Sequence, residues 1–240
     1  MLSYVFLVFA LVHLALLAWG WSRWQRLRSH GLAMTLLPMT GLWYDCAVIG
    51  LGRFIGEGDL LLALNLPRYW IHAVLGPLWI IAAGCFLREA GLPWARKAWV
   101  MGAFCVLATC FALHDGLALF DLRLFPACFD DTVRYAQSVA ANAVCRPDGA
   151  VIKAGGPPVA PIVTTLAIIA AGVVIGRRLR WWWMAAGGVF MLLMAALPAS
   201  RFGPAFSNLG EIGITLGMLA TATWLAGGAG RAAAPGPDRA

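Results

Sequence analysis

The stretch that decides the fold runs from Val163 to Trp183 and reads VTTLAIIAAGVVIGRRLRWWW. An uncharged run opens it, three arginines follow at Arg177, Arg178 and Arg180, and three tryptophans close it at Trp181, Trp182 and Trp183. Hydrocarbon accepts the first part and rejects the second, while indole rings settle at the headgroup level between them. Such a segment crosses a bilayer and ends on the side where basic residues gather.

The same grammar repeats along the chain. Of the 240 residues, 61% are hydrophobic and 12% charged, against about 25% charged in an ordinary soluble domain. The apolar residues fall into blocks long enough to cross roughly 30 Å of hydrocarbon at about 1.5 Å per residue. Seven blocks qualify: 3–20, 33–51, 69–88, 99–118, 160–177, 182–199 and 206–226. The fold expected is an all-α, polytopic transmembrane helical bundle forming a single domain over 1–226. An outer loop covers 119–159, and the Gly-, Pro- and Ala-rich residues 227–240 are expected to form a disordered cytoplasmic tail.

The segments between blocks set the orientation. Arg23, Arg26 and Arg28, then Arg88, Arg96 and Lys97, then Arg177, Arg178 and Arg180, and finally Arg231 and Arg239 all fall on one side. The other side has fewer basic residues, several diluted by acids in the loop 119–159. Basic residues collect in cytoplasmic loops, so the N-terminus is expected outside and the C-terminus inside, in the cell membrane. Trp21, Trp24, Trp94 and Trp99 fall at the same cytoplasmic ends. The net charge of +7 is thereby explained, and no nucleic-acid partner is expected. Block 3–20 lacks the basic start and small-residue cleavage site of a signal peptide, so it is expected to stay as a span.

Two extramembrane pieces have local signatures. Cys128 and Cys145 share the outer loop, where an oxidising environment lets a disulfide persist. In 52–67, glycines lead to Asp59 and the apolar run LLLALN, and Pro67 follows. A short interfacial helix ending at Pro67 is expected there. Cys46, Cys85, Cys105 and Cys110 lie inside spans as small apolar residues.

Ionisable groups inside spans are costly, and they face the bundle interior. Asp45, beside Tyr44, lies about 9 Å below the outer end of the second span. His72 lies one turn into the third, His114 and Asp115 in the last turn of the fourth, and Glu211 more than a turn into the seventh. All occupy the outer third. Asn65, Arg68, His72 and Gly76 fall on one helical stripe, and Ser207, Glu211 and Thr215 on another, with Asn208 adjacent. Gly41 and Asp45, and Gly213 and Gly217, are four apart, a spacing that lets helices approach closely. His13, in mid-span, reads as a packed or hydrogen-bonded histidine.

A polar pocket opening outward is therefore expected, with Asp45, His72, His114 and Glu211 as the chemical groups. Tyr44, Arg68, Asp115, Asn208 and Arg201 are expected around a substrate, Arg68 meeting an anionic head. His72, His114 and Glu211 also form a possible ligand set for a divalent metal such as zinc, which would activate a bound water. Without metal, the same groups supply a general acid and base. The leading expectation is an intramembrane enzyme acting on a lipid or isoprenoid, with membrane lipids and a hydrophobic small molecule as partners. The alternatives are a small-molecule or proton transporter or receptor, and a non-catalytic scaffold. Seven spans with an external N-terminus resemble the topology of the alkaline ceramidase and adiponectin-receptor class of membrane hydrolases. The motif differs: those proteins hold zinc with three histidines, two of them four apart in the last span, where this chain has only Glu211. No short catalytic signature of the GxSxG or HExxH kind is present.

Overall fold

The computed structural model describes residues 1–153, 156 and 158–228. Helix α1 spans Leu2–Leu27, α2 His30–Ile55, α3 Asp59–Leu75, α4 Leu78–Glu89 and α5 Ala98–Ala118. A hairpin of β1 (Phe125–Phe129) and β2 (Thr132–Ala136) follows. Then come α6 (Val159–Leu179), α7 (Trp183–Ala195), the short α8 (Ala199–Phe202) and α9 (Ala205–Ala226). Residues 229–240, most of the expected tail, lie outside the described residues.

Six helical segments are long and apolar enough to cross a membrane: α1, α2, α3 with α4, α5 with the turn after it, α6 and α9. The expected span 182–199 is only 13 residues long as α7, about 20 Å at 1.5 Å per residue. Close packing compensates for its length. A Cβ on Gly187 would lie 2.7 Å from the Gly213 carbonyl, and one on Gly217 would lie 2.5 Å from the Trp183 carbonyl. Only glycine lets α7 and α9 approach to that distance.

The third span differs from expectation at both of its features. Helix α3 passes through Pro67 without stopping. The ring removes a single N–H, and side chains serve the carbonyls nearby: Asn65 Nδ2 donates to Leu61 O at 2.7 Å and the Tyr44 hydroxyl to Leu64 O at 2.9 Å. Residues 59–66 are therefore continuous with the span and not a separate interfacial helix. The break falls instead at Gly76–Pro77, where Trp79 N and Ile80 N bond to Gly76 O and Pro77 O at 3.2 and 2.9 Å, one residue short of an α-turn.

The helix ends divide between two faces. On one, Arg28 in the left-handed conformation ends α1 and Ser29 caps α2, its Oγ accepting from Leu32 N at 3.0 Å. Glu89, closing α4, accepts from the Ser29 hydroxyl at 2.9 Å and from Gly31 N at 3.0 Å. An acid at the N-terminus of α2 complements the helix dipole. Trp181 stacks on Trp224 at 4.7 Å on this face and donates to Thr221 Oγ1 at 3.0 Å, joining the ends of α6 and α9.

The hairpin covers the other face. Its register pairs Phe125 with Ala136 and Phe129 with Thr132. Cys128 and Cys145 are disulfide-bonded, Cα atoms 4.9 Å apart. The expected loop 119–159 thus adds a small β element to the helical bundle. Asp131 holds it down, accepting from Ser3 N at 3.0 Å and pairing with Arg53 at 2.5 Å. Arg146 pairs with Glu57 at 2.9 Å, and Asn142 donates to the Ser200 carbonyl. A side chain at Gly52 would collide with the Val133 carbonyl, so this glycine lets β2 lie on α2.

Between the faces, Met39, Ile168, Ile175, Met184, Ile214 and Met218 form an apolar core shared by α2, α6, α7 and α9. The outward flank of α1 (Val5, Val8, Leu11, Leu14) is exposed, as are Val106, Leu113 and Leu117 of α5, the pattern of helices turned toward hydrocarbon.

Candidate functional site

The polar residues of the hairpin half separate into two groups. The first is a buried network. Arg68 Nε donates to Asp45 Oδ1 at 2.7 Å, and Arg68 Nη1 donates to Asn65 Oδ1 at 2.5 Å. Asn65 Oδ1 also accepts from Tyr135 N of the hairpin at 3.2 Å. Asp45, Arg68 and Asn65 are each less than 9% exposed. Every strong group here is engaged by another, so the network joins α2, α3 and β2. Arg68 is therefore not free to receive an anionic head, because Asp45 already neutralises it.

The second group lines a cavity of about 380 Å³. His72 of α3, His114 and Asp115 of α5, and Glu211 of α9 all reach its wall. His72 Nδ1 lies 2.8 Å from the Arg68 carbonyl. A carbonyl only accepts, so Nδ1 carries the hydrogen and Nε2 is the free ring atom. His114 Nδ1 meets Asp115 Oδ1 at 2.9 Å. Glu211 Oε2 is buried with no hydrogen-bond partner. Among the described residues such atoms are few: both ring nitrogens of His13 and the Thr215 hydroxyl complete the set. His13 is fully buried as expected, but without the hydrogen bond.

The walls come from most of the bundle. Pro38 and Gly41 of α2, Gly76 and Pro77 at the α3–α4 break, and Met191 of α7 border the inner part. Gln137 and Pro158 border the end toward the hairpin. Helix α5 packs on α3 and α4, and α6 packs on α4 and α7, but α5 and α6 hardly touch. His114 and Ala118 on one side of that gap, and Val159 and Pro161 on the other, are exposed. The cavity lies beside the gap between these two helices, and Glu211 of α9 reaches its wall.

The other residues expected near a substrate lie elsewhere. Tyr44 is bonded to Leu64 O. Asn208 Oδ1 accepts from the Cys46 thiol at 3.3 Å, while its Nδ2 donates to Pro204 O at 3.0 Å, which fixes the first turn of α9. Arg201 is exposed on α8, over the Phe202 ring at 5.4 Å. The expected ligand set for a metal does not converge. Among the described residues, the group of three possible ligands whose donor atoms lie within 4.8 Å of one another is Glu57 with Cys128 and Cys145, and those two cysteines are disulfide-bonded. The donor atoms of His72, His114 and Glu211 do not all lie within that distance of one another.

Five polar lining residues, Gln137 among them, escape a reading of the sequence based on ionisable groups. Thr164 and Thr165, in the second turn of α6, are buried against the cavity. The Thr165 hydroxyl turns back to Pro161 O at 2.9 Å. Trp79 lies against the cavity with its indole N–H on Thr35 O at 3.2 Å, and Tyr69 donates to the Tyr135 carbonyl at 3.3 Å. A threonine pair inside an otherwise apolar span, and a tryptophan in mid-span instead of at an interface, were the available signals. Compared with family models, with curated proteins and with solved structures, the chain matches none of them.

Proposed function

We propose that the chain crosses the cell membrane seven times, α7 included, with the hairpin face outside and the Glu89 face in the cytoplasm. We propose further that it is an intramembrane enzyme acting on a lipid or isoprenoid. Three observations support the topology. The basic residues of the helix connections cluster at the Glu89 end, tryptophans accompany them, and the disulfide lies at the opposite end, where it is suited to an oxidising compartment.

The cavity supports the chemistry. A largely apolar cavity beside a helix gap suits a hydrocarbon chain entering sideways from the bilayer, and its polar groups meet the other end of the molecule. His72, with Nε2 free, and Glu211, with Oε2 buried, serve as acid and base. The His114–Asp115 pair stands at the mouth. The single observation that carries this proposal is that His72, His114, Asp115 and Glu211, from three helices, share one cavity from which the Asp45–Arg68 pair is excluded.

The test is a comparison of lipid extracts from cells lacking the protein, cells with the wild type, and cells with His72→Ala or Glu211→Gln at equal abundance. The proposal expects one lipid class to change with the wild type and to revert with both variants. Identical profiles in all four samples would remove the enzyme and leave a binding or packing role.

A further inference from the structure

The charge of the cavity wall carries an inference that deepens the enzyme proposal and rests on it. No lysine or arginine lines the cavity among the described residues, whereas two carboxyl groups do. Its remaining polar side chains are two imidazoles, two threonines, the Tyr69 hydroxyl, Gln137 and the indole of Trp79. Arg68 of the buried network is already occupied by Asp45 and Asn65, and Arg134 of β2, which lies near Arg68, is not among the wall residues.

The backbone adds to this balance. At the Gly76–Pro77 break, Pro77 has no N–H to give Ala73, and Trp79 and Ile80 bond to Gly76 and Pro77. The Ala73 carbonyl is therefore left without its α-helical partner, and Ala73, Gly76 and Pro77 lie on the cavity wall. Free carbonyls at a helix C-terminus carry partial negative charge, and irregular backbone at this depth is tolerated where it lines a cavity. The N-terminus of α6 acts in the opposite sense at the mouth, but Pro161 removes one of its free N–H groups.

We infer that the cavity takes an amphiphile whose head donates hydrogen bonds and bears no negative charge, an amine or a hydroxyl, and that it rejects carboxylate and phosphate heads. Glu211 Oε2, buried and unpartnered, is the acceptor for that head. An anion there would find no lysine or arginine on the wall to pair with, and burying an unpaired charge is far more costly than burying a neutral head that is hydrogen-bonded.

The experiment uses one saturated chain carrying four alternative heads: a primary amine, a hydroxyl, a carboxylate and a phosphate. Binding to the purified full chain in detergent is read by native mass spectrometry. The wild type is expected to bind the amine and the alcohol at least about tenfold more tightly than the two anions. Glu211→Gln should cut the advantage of the amine over the alcohol. Ala118→Trp, at the exposed mouth, and Thr164→Phe, on the α6 wall, should each displace all ligands, and two plugs guard against one misfolding. If the carboxylate or phosphate binds as tightly as the amine and both plugs remove it, the head-group inference is overturned while the lipid cavity stands. If nothing binds, or if binding survives both plugs, the cavity proposal fails and the inference with it.

Discussion

Arg68 Nε stands 2.7 Å from Asp45 Oδ1, and both side chains are under 9% exposed. A charge pair so enclosed is worth less than its geometry suggests, because both ions lose their water. Removing one partner leaves the other charged and buried, at a cost of about 3–5 kcal/mol. Asp45→Ala and Arg68→Ala should therefore each lower the melting temperature of the purified protein by a large step. The double variant Asp45→Ala, Arg68→Ala should lose less than the two single losses added together. Additive losses would mean that the residues act separately.

Asp131 gives the hairpin its sensitivity to acid. Burial pushes its carboxyl up, but the Met1 amino group, Ser3 N–H and Arg53 outweigh that and hold it well below the ordinary value of 3.8. Its folded value is depressed, so its contribution is full above the ordinary value and lost as pH falls through the lowered one. The hairpin should resist an acid protease at about pH 5 and open only in stronger acid, whereas Asp131→Asn should already be cut at about pH 5. Equal cleavage of the two proteins at that pH would dissociate Asp131 from the docking.

The Cys128–Cys145 bond closes a separation of 17 residues, and constraining the unfolded chain over such a loop contributes about 3 kcal/mol. Alkylation before and after reduction should show these two thiols reacting only after reduction. Serine at both positions should raise hydrogen exchange in Phe125–Ala136 while leaving α6 and α9 protected. A uniform rise across the whole chain would show that the bundle depends on the bond.

His13 is fully buried with both ring nitrogens unpartnered, and an unsatisfied buried polar group costs about 1–3 kcal/mol. His13→Met, which keeps the volume and removes the need, should raise the melting temperature by a few degrees. A fall would show that the ring has a partner on which the bundle depends.

Much of this architecture is legible in the residues. Hydrophobic blocks mark the long helices because hydrocarbon demands length and tolerates almost any apolar side chain. The disulfide is legible from two cysteines sharing the one large loop. Pro67 misleads because a proline removes only one hydrogen bond, and Asn65 and Tyr44 serve the carbonyls around it. Gly76–Pro77 hides the true break inside an unbroken apolar run.

At the site, depth along each span brings the unusual residues to one layer, but depth has no azimuth. It does not separate Arg68, which turns to Asp45, from His72 four residues later, which turns to the cavity. Nor does it reveal Thr164, whose weak polarity matters because of the gap between α5 and α6. That gap is a property of pairs of helices and is written in no single segment.

The central claim is that His72 and Glu211 face one cavity open at the hairpin end. Cysteine substitution of His72, Thr164 and Glu211, with Cys85, Cys105 and Cys110 changed to alanine and the buried Cys46 kept as an internal control, tests it most directly. All three positions should react with a polar thiol reagent added from the hairpin side. The reaction should be blocked by Ala118→Trp, and Cys46 should stay silent throughout. If position 211 reacts only from the opposite side, or no faster than Cys46, the shared cavity is contradicted.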